Sequence, residues 1–363
     1  MSQSGQADNI TMSGGGLYSL ATIGAKDVID AATPMVTTAI EKMSLHGAAE
    51  FTLSDMGCAD GGTSLDMIRQ ALGAVRSQND SLPIRVVYAD QPRNDYNALV
   101  QIVHGLSDFK SWLNEFDSVY PLASGISFYN QIVPDQSLDL GFSATAMHWL
   151  SEKPGEIKNH VHMVGATDDD LQRFKQQAQH DWLTILKHRA RELKPGGRLV
   201  FANFCRDDEG RYLGNTDGVN MFDTFNAIWM QFMQDGLINR KEYEAMTLPQ
   251  YYRTSEEFAE PFRTGEAPSG LELEQIETRV VRCPFAVDYE KHGDARRFAQ
   301  AYIPTIRTWN ESTFYGGLDV QRPEQQRREL IEQYYGTYQN MVEENPAGHA
   351  MDYVHAYMTV KSL

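Results

Sequence analysis

The stretch FTLSDMGCADGGTSLDMI, residues 51–68, decides the fold. An apolar run ends on Asp55, breaks over Gly57, Asp60, Gly61 and Gly62, and then resumes with helical spacing. That order predicts a strand (51–57), a turn of bare backbone, and a helix from Thr63 to about Val75. Glycines let a ligand approach the chain closely, and the first N–H groups of the following helix lack internal partners. The segment is therefore either a tight turn or a cradle for a nucleotide or phosphate.

The same alternation continues outward. PIRVVYAD (83–90) reads as a second strand ending on Asp90, and Asn94 begins the next helix. A third strand falls at 118–122, and LDLGFSA (138–144) is a fourth, running straight into TAMHWLSEKP. A long helix over 168–193 is stopped by LKPGG (193–197), where proline and two glycines bar continuation, before GRLVFANF forms a fifth strand. A helix over 23–43, with Pro34 as a kink, precedes the first strand. Strands alternating with helices at these intervals predict an α/β protein with a doubly wound, mostly parallel sheet. Ligands of such sheets sit beyond the carboxyl ends of the strands. Asp55, Asp90, Ser143 to Trp149 and Asn203 all fall there. Asp90 has two readings: it accepts hydrogen bonds from vicinal ribose hydroxyls, or it caps the helix near Asn94. With the glycine turn, the first reading predicts an adenosine-containing cofactor.

Beyond residue 205 the texture changes. An apolar, aromatic helix spans 217–236, and broken helix continues to about 268. LELEQIETRVV (271–281) reads as a sheet-edge strand and YVHAYMTVKSL (353–363) as a closing one, with helices at 291–310 and 322–344 between them. We expect a flexible arm over 1–16, an α/β domain made of 17–205, 269–285 and 347–363, and a helical cap made of 206–268 and 286–346.

Composition limits the function classes. With 32 basic and 49 acidic residues the formal charge is −17, which opposes binding to phosphate backbones, and no basic patch offsets it. Cys58, Cys205 and Cys283 form no CxxC spacing or disulfide framework, as expected of a reduced cytoplasmic compartment. No signal peptide and no run of ~18 apolar residues is present, so a soluble protein without membrane contact is expected. No HxxxH or clustered Cys/His/Asp set points to a metal, and no GxSxG or Cys/His arrangement to a nucleophile.

Two further stretches carry chemistry. In SGISFYNQIVP (124–134), Ser127 and Phe128 either flank an adenine ring or simply pack. In SATAMHWLSEKP (143–154), His148 and Trp149 follow the fourth strand, where a substrate would meet a cofactor. An indole offers one N–H donor and a large apolar face, so it can orient a carboxylate and exclude water at once. The alternative is a His–Trp pair that serves structure alone.

Taken together, GGLYSLATIGAKDVI, LSDMGCADGGTSL, YADQPRNDYNAL, SGISFYNQIVP, SATAMHWLS, LKPGGRLV and DGLINRKEYEAMTLPQYYRTSEEF resemble the SABATH family of S-adenosylmethionine (SAM)-dependent methyltransferases. That family comprises plant carboxyl methyltransferases and xanthine N-methyltransferases, and the resemblance runs from about Gly14 to Leu363. It implies a Rossmann-like methyltransferase sheet under a helical cap, SAM as methyl donor with S-adenosylhomocysteine as product, a small carboxylic acid as substrate, and a homodimer. By the same resemblance, Asp55, Gly57 and Cys58 line the methionine part of the cofactor, with Ser143 nearby. Asp90 and Gln91 hold the ribose, and Ser127 and Phe128 hold the adenine. Tyr18 and Thr22 fold over cofactor and substrate. His148 and Trp149 match the family's catalytic pair, whose indole donates to the substrate carboxylate, and Phe222 walls the acyl pocket. Two positions depart from the pattern: the family's carboxylate-holding Gln is Ala25 here, and an aromatic residue four positions before the Trp is Thr145. Lys26, as a cation, or a donor from the cap is then the candidate replacement for the lost amide. The alternatives are N-methylation of a heterocycle, a dehydrogenase that uses the glycine turn and Asp90, and a non-catalytic cofactor-binding module.

Overall fold

The computed structural model describes Ser19 and residues 22–363 except Asp217. The proposed arm and Tyr18 lie outside the described residues. The chain forms α1 (Ile23–Glu41), β1 (Phe51–Met56), α2 (Leu65–Gln78), β2 (Ile84–Ala89), α3 (Tyr96–Val103), β3 (Val119–Ser124) and β4 (Leu138–Ala144). A short 3-10 turn (Met163–Gly165) leads to α4 (Asp168–Glu192) and β5 (Leu193–Arg206). Then follow α5 (Met221–Gln234), α6 (Arg240–Ala245), β6 (Arg253–Thr254), α7 (Ser255–Thr264) and β7 (Leu271–Val281). The chain ends with α8 (Pro284–His292), α9 (Ala295–Gly317), α10 (Glu324–Glu344) and β8 (Tyr353–Ser362).

The sheet order is β3-β2-β1-β4-β5-β8-β7, with β6 paired to β5 off this path. The first four junctions are parallel; β8 runs antiparallel to both β5 and β7. Every residue of β1 and β4 is buried, as a parallel sheet covered on both faces requires. The two faces separate along β5: Val200, Ala202 and Phe204 join one core, with α1, α2 and the helices after β5, while Leu199, Phe201 and Cys205 join a second with Trp182, Ile185 and Leu186 of α4. This is the doubly wound sheet expected from the sequence, and β7 is the predicted edge strand.

Three local expectations are corrected. LKPGG does not separate α4 from a later strand: β5 starts at Leu193, directly at the helix end, and a register shift against β4 absorbs the irregular residues. The helix after β2 starts at Tyr96, with the Asp95 carboxylate accepting from Ala98 N as its cap. Asn94 instead donates from Nδ2 to Ala59 O at 2.7 Å, tying the helix entry to the glycine turn. The helix expected from residue 217 begins at Met221, where Asn220 caps it by accepting from Phe222 N and Asp223 N.

After β5 the helices build a second layer through aromatic contacts. Phe225 and Trp229 of α5 pack edge-on against Phe314 of α9, and Trp229 packs edge-on against Tyr334 of α10. Capping boxes at Asn239/Glu242 and Thr254/Glu257 fix the starts of α6 and α7. Among the described residues no helix is long and apolar enough to cross a membrane.

Candidate active site

The carboxyl ends of β1, β2 and β4 converge on the glycine turn. Gly57 has φ +80°, and a Cβ there would lie 2.4 Å from the Ala146 Cβ, so only glycine allows this approach. Gly57 N and Cys58 N both donate to Ala89 O, which holds the turn against the end of β2. The Asp90 carboxylate accepts from Ala59 N and from Gln91 N, each at 2.7 Å. The helix-cap reading of Asp90 is thereby replaced, since Asp95 performs that task. A carboxylate has about four acceptor sites, so Asp90 retains capacity for two hydroxyls after bonding the turn.

Asp55 is buried, accepts from Ser64 Oγ at 2.6 Å, and has its pKa pushed up to about 7, mainly by burial and in smaller part by the nearby Asp90 charge. Cys58 is also buried, and its thiol pKa is raised by burial and the surrounding carboxylates, so it stays a thiol. Ser143 is fully buried and donates to Met56 O at 2.7 Å. Phe128 lies 3.7 Å from the position of a Gly57 Cβ and tilts against Tyr129. The half-buried Ser127 accepts from Tyr129 N, and the exposed Gln91 meets Asp90 only through its backbone. These residues leave a glycine cradle flanked by a phenyl ring and two strand-end carboxylates. That set fits a cofactor with a nucleoside at one end and a cationic group at the other.

Next to the cradle, Thr22, Ala25, Thr145, His148, Trp149, Phe204, Leu213, Gln250, Tyr252, Trp309, Met351 and Tyr353 surround a cavity of about 40 Å³. Among the described residues, no lysine, arginine or carboxylate is in this wall. α1 can carry Ala25 there because Gly24 has no side chain: a Cβ would fall 2.2 Å from the Tyr353 ring. Thr145, directly after β4, has φ +54°, a left-handed conformation that a β-branched residue enters only at a cost of ~1–3 kcal/mol. It redirects the chain so that His148 and Trp149 reach the cavity.

That turn is clamped from behind at several backbone points. Arg253 is buried and donates to Met147 O and Ala178 O, and Tyr129 donates to Trp149 O. Asp181 accepts from Ser151 N at 2.8 Å and from Ser151 Oγ at 2.5 Å. The His148 ring packs edge-on against Phe204 at 4.6 Å and tilted against Trp149 at 5.4 Å. Burial first, then the neighbouring His355 and Arg253, hold its pKa well below the usual histidine range, so it is neutral.

Two expected site residues stand elsewhere. Lys26 is outside the cavity wall, its ammonium held between Asp30 (2.7 Å) and Asp66 (3.1 Å). Phe222 lies one layer further out, stacked on His162 at 3.9 Å with Tyr252 between it and the cavity. Gln250, Tyr252, Phe204, Trp309 and Tyr353 were not anticipated. The sequence signal for all of these but Trp309 is the aromatic density of ANFC, LPQYYR and MDYVHAY.

Residues 10–361 match the family model described as SAM dependent carboxyl methyltransferase. The chain belongs to that family. Among its relatives is indole-3-acetate O-methyltransferase 1 of Oryza sativa subsp. japonica, 26% identical over 66% of this chain and 65% of that protein. The Fusarium methyltransferase LUC1 is 29% identical over 70% of this chain and 67% of its own length, and loganic acid O-methyltransferase of Catharanthus roseus is 26% identical over 66% and 67%. The chain thus matches about two thirds of the length of these curated relatives. A solved loganic acid methyltransferase with SAH superposes with a TM-score of 0.74 at 20% identity, covering 97% of this chain and 98% of that one, which shows the shared SAM-methyltransferase fold. Membership of a SAM-dependent methyltransferase family decides against the dehydrogenase alternative for the glycine turn.

Proposed function

We propose that this protein esterifies a small, aromatic or hydrophobic carboxylic acid, taking the methyl group from SAM. One observation carries the reading: the wall holding His148 and Trp149 adjoins the glycine cradle, Ala146 being three residues from Trp149 and against Gly57. In this reading Asp55, Gly57 and Cys58 surround the methionine part of SAM, Asp90 and Gln91 the ribose, and Ser127 and Phe128 the adenine. Thr22 closes over the site. When bound, SAM supplies an electrophilic methyl group on a sulfonium.

The chain's own work is positioning. A carboxylic acid with pKa near ~4 is ionised at neutral pH, so no general base is needed. His148, held neutral, therefore orients and does not abstract a proton. The Trp149 indole N–H, which has no partner among the described residues, donates to a carboxylate oxygen. The rings of Phe204, Tyr252, Trp309 and Tyr353 exclude water from the charged reactants. Alignment of this kind is worth up to ~7–11 kcal/mol of barrier. The α/β residues 17–205, 269–285 and 347–363 act as the cofactor domain, and 206–268 with 286–346 as the cap that shapes the acid pocket. A homodimer in the cytoplasm completes the proposal.

The test supplies pure protein with radiolabelled methyl donor and a panel of aromatic and aliphatic acids. Label recovered in a base-labile ester supports the reading. Label stable to base would mean N-methylation, and tight SAH binding with no transfer would leave a binding module.

A further inference from the structure

Two polar atoms in the cavity wall are buried without a hydrogen-bond partner: His148 Nδ1 and Gln250 Nε2. Gln250 is 0% exposed, and the backbone determines where its side chain goes. Leu150 N donates to Pro249 O at 2.8 Å, and Tyr251 N donates to His148 O at 2.9 Å, so 148–150 and 249–251 run antiparallel with Trp149 and Gln250 facing each other. Such a pair, flanked by its bonds and sharing none, brings its two side chains out close together on one face. The Trp149 indole and the Gln250 amide thus enter the cavity side by side. The amide is oriented by Tyr252, whose hydroxyl donates to Oε1 at 3.2 Å. The amide lies close to the His162 ring, yet its Nε2 makes no hydrogen bond of ordinary geometry.

A primary amide nitrogen carries two N–H donors. Buried donors without an acceptor are rare, and inside a cavity they mark where a ligand's acceptor sits. Among the described residues the wall contains no lysine or arginine, and Lys26 is already held by two carboxylates. An anion entering here must be held by neutral donors. We propose that Gln250 binds the substrate carboxylate, its Nε2–H and the Trp149 indole N–H donating to the anion from adjacent positions. The assignment rests on the carboxyl-methylating function proposed above. It makes the site selective for carboxylates: a carboxamide of the same shape would turn its own N–H groups against these donors.

The experiment compares wild type, Gln250→Met and Gln250→Glu, using labelled methyl donor and the best acid of the panel, with SAH binding measured by calorimetry on each protein. Gln250→Met keeps the length and loses the donors. It should raise KM for the acid tenfold or more, with kcat changed less than KM and SAH affinity within twofold. Gln250→Glu sets a second carboxylate against the first and should abolish esterification at neutral pH while SAH still binds. The matching carboxamide should inhibit wild type poorly and Gln250→Met no worse. A variant that binds SAH normally and keeps KM within twofold of wild type overturns the assignment. A wild type that esterifies no acid overturns the preceding function first, and the two failures are thereby told apart.

Discussion

At the scale of single residues, the site depends on a few side chains whose environments set their charge and aim. Trp149→Phe keeps a ring and loses the N–H donor. Turnover of the acid should fall by at least tenfold, the scale of a hydrogen bond to a charged group, while SAH affinity stays near wild type. Equal turnover would place the carboxylate elsewhere. Asp55 offers a test independent of substrate. Its pKa of about 7 follows from burial, so near neutral pH it is about half protonated in the free protein. A cationic cofactor group brought beside it favours the ionised form. Binding therefore releases a proton, and affinity should rise with pH from 6 to 8. Calorimetry of SAH binding at pH 7 in buffers of different ionisation enthalpy reads this directly, with about half a proton released. No release would mean that the ligand's ammonium binds away from Asp55.

At the scale of elements, the turn that carries His148 and Trp149 is held by groups from distant parts of the chain. The buried Arg253 guanidinium takes the carbonyls of Met147 and Ala178, and Asp181 of α4 takes Ser151. Arg253→Met fills similar volume but leaves both carbonyls without a donor, each worth about 1–3 kcal/mol when buried. Urea unfolding should show a loss within that range or its double, and kcat should fall more than SAH affinity. A variant with wild-type kcat would show that the turn holds its shape without the arginine. Such long-range clamps explain what was legible in the sequence. The strands could be read because β1, β2 and β4 are short apolar runs, each ending on or near a polar residue at the ligand edge. Asp55, Asp90, His148 and Trp149 followed from that geometry. Gln250 could not, because it reaches Trp149 through an antiparallel bridge between segments a hundred residues apart. Lys26 misled for the same reason, since one of its two partners, Asp66, sits on another helix. LKPGG misled because the sheet tolerates an irregular strand start where its neighbour shifts register.

At the scale of the molecule, the cavity is where the sheet's carboxyl edge meets the aromatic helices, and this junction buries an unusual number of imidazoles. His148, His162 and His355 are all buried and all have pKa values lowered chiefly by burial, that of His355 to about 3. Both ring nitrogens of His355 lack partners, and the ring packs on Phe204 at 4.1 Å. Below pH ~6.5 the unfolded chain protonates these side chains and the folded one does not. Unfolding then takes up protons, and stability falls as the pH drops. Asp55 acts in the opposite sense: the folded protein holds its proton from about pH 7 down to ~4, so acid favours the fold at that position. Asp90 and Asp139, also raised by burial, add in that sense. Where the histidines outnumber the carboxylates, stability should drop between pH 6 and 5, by ~1.4 kcal/mol per unit for each net proton taken up on unfolding. Urea unfolding at pH 7, 6 and 5 measures the slope. His355→Phe replaces an imidazole without partners by a ring of similar shape, and it should flatten the slope by about 1.4 kcal/mol per unit and raise stability at pH 5. An unchanged slope in that variant would mean that His355 is already protonated in the fold, and that the wall behind Phe204 carries a charge the packing gives it no means to hold.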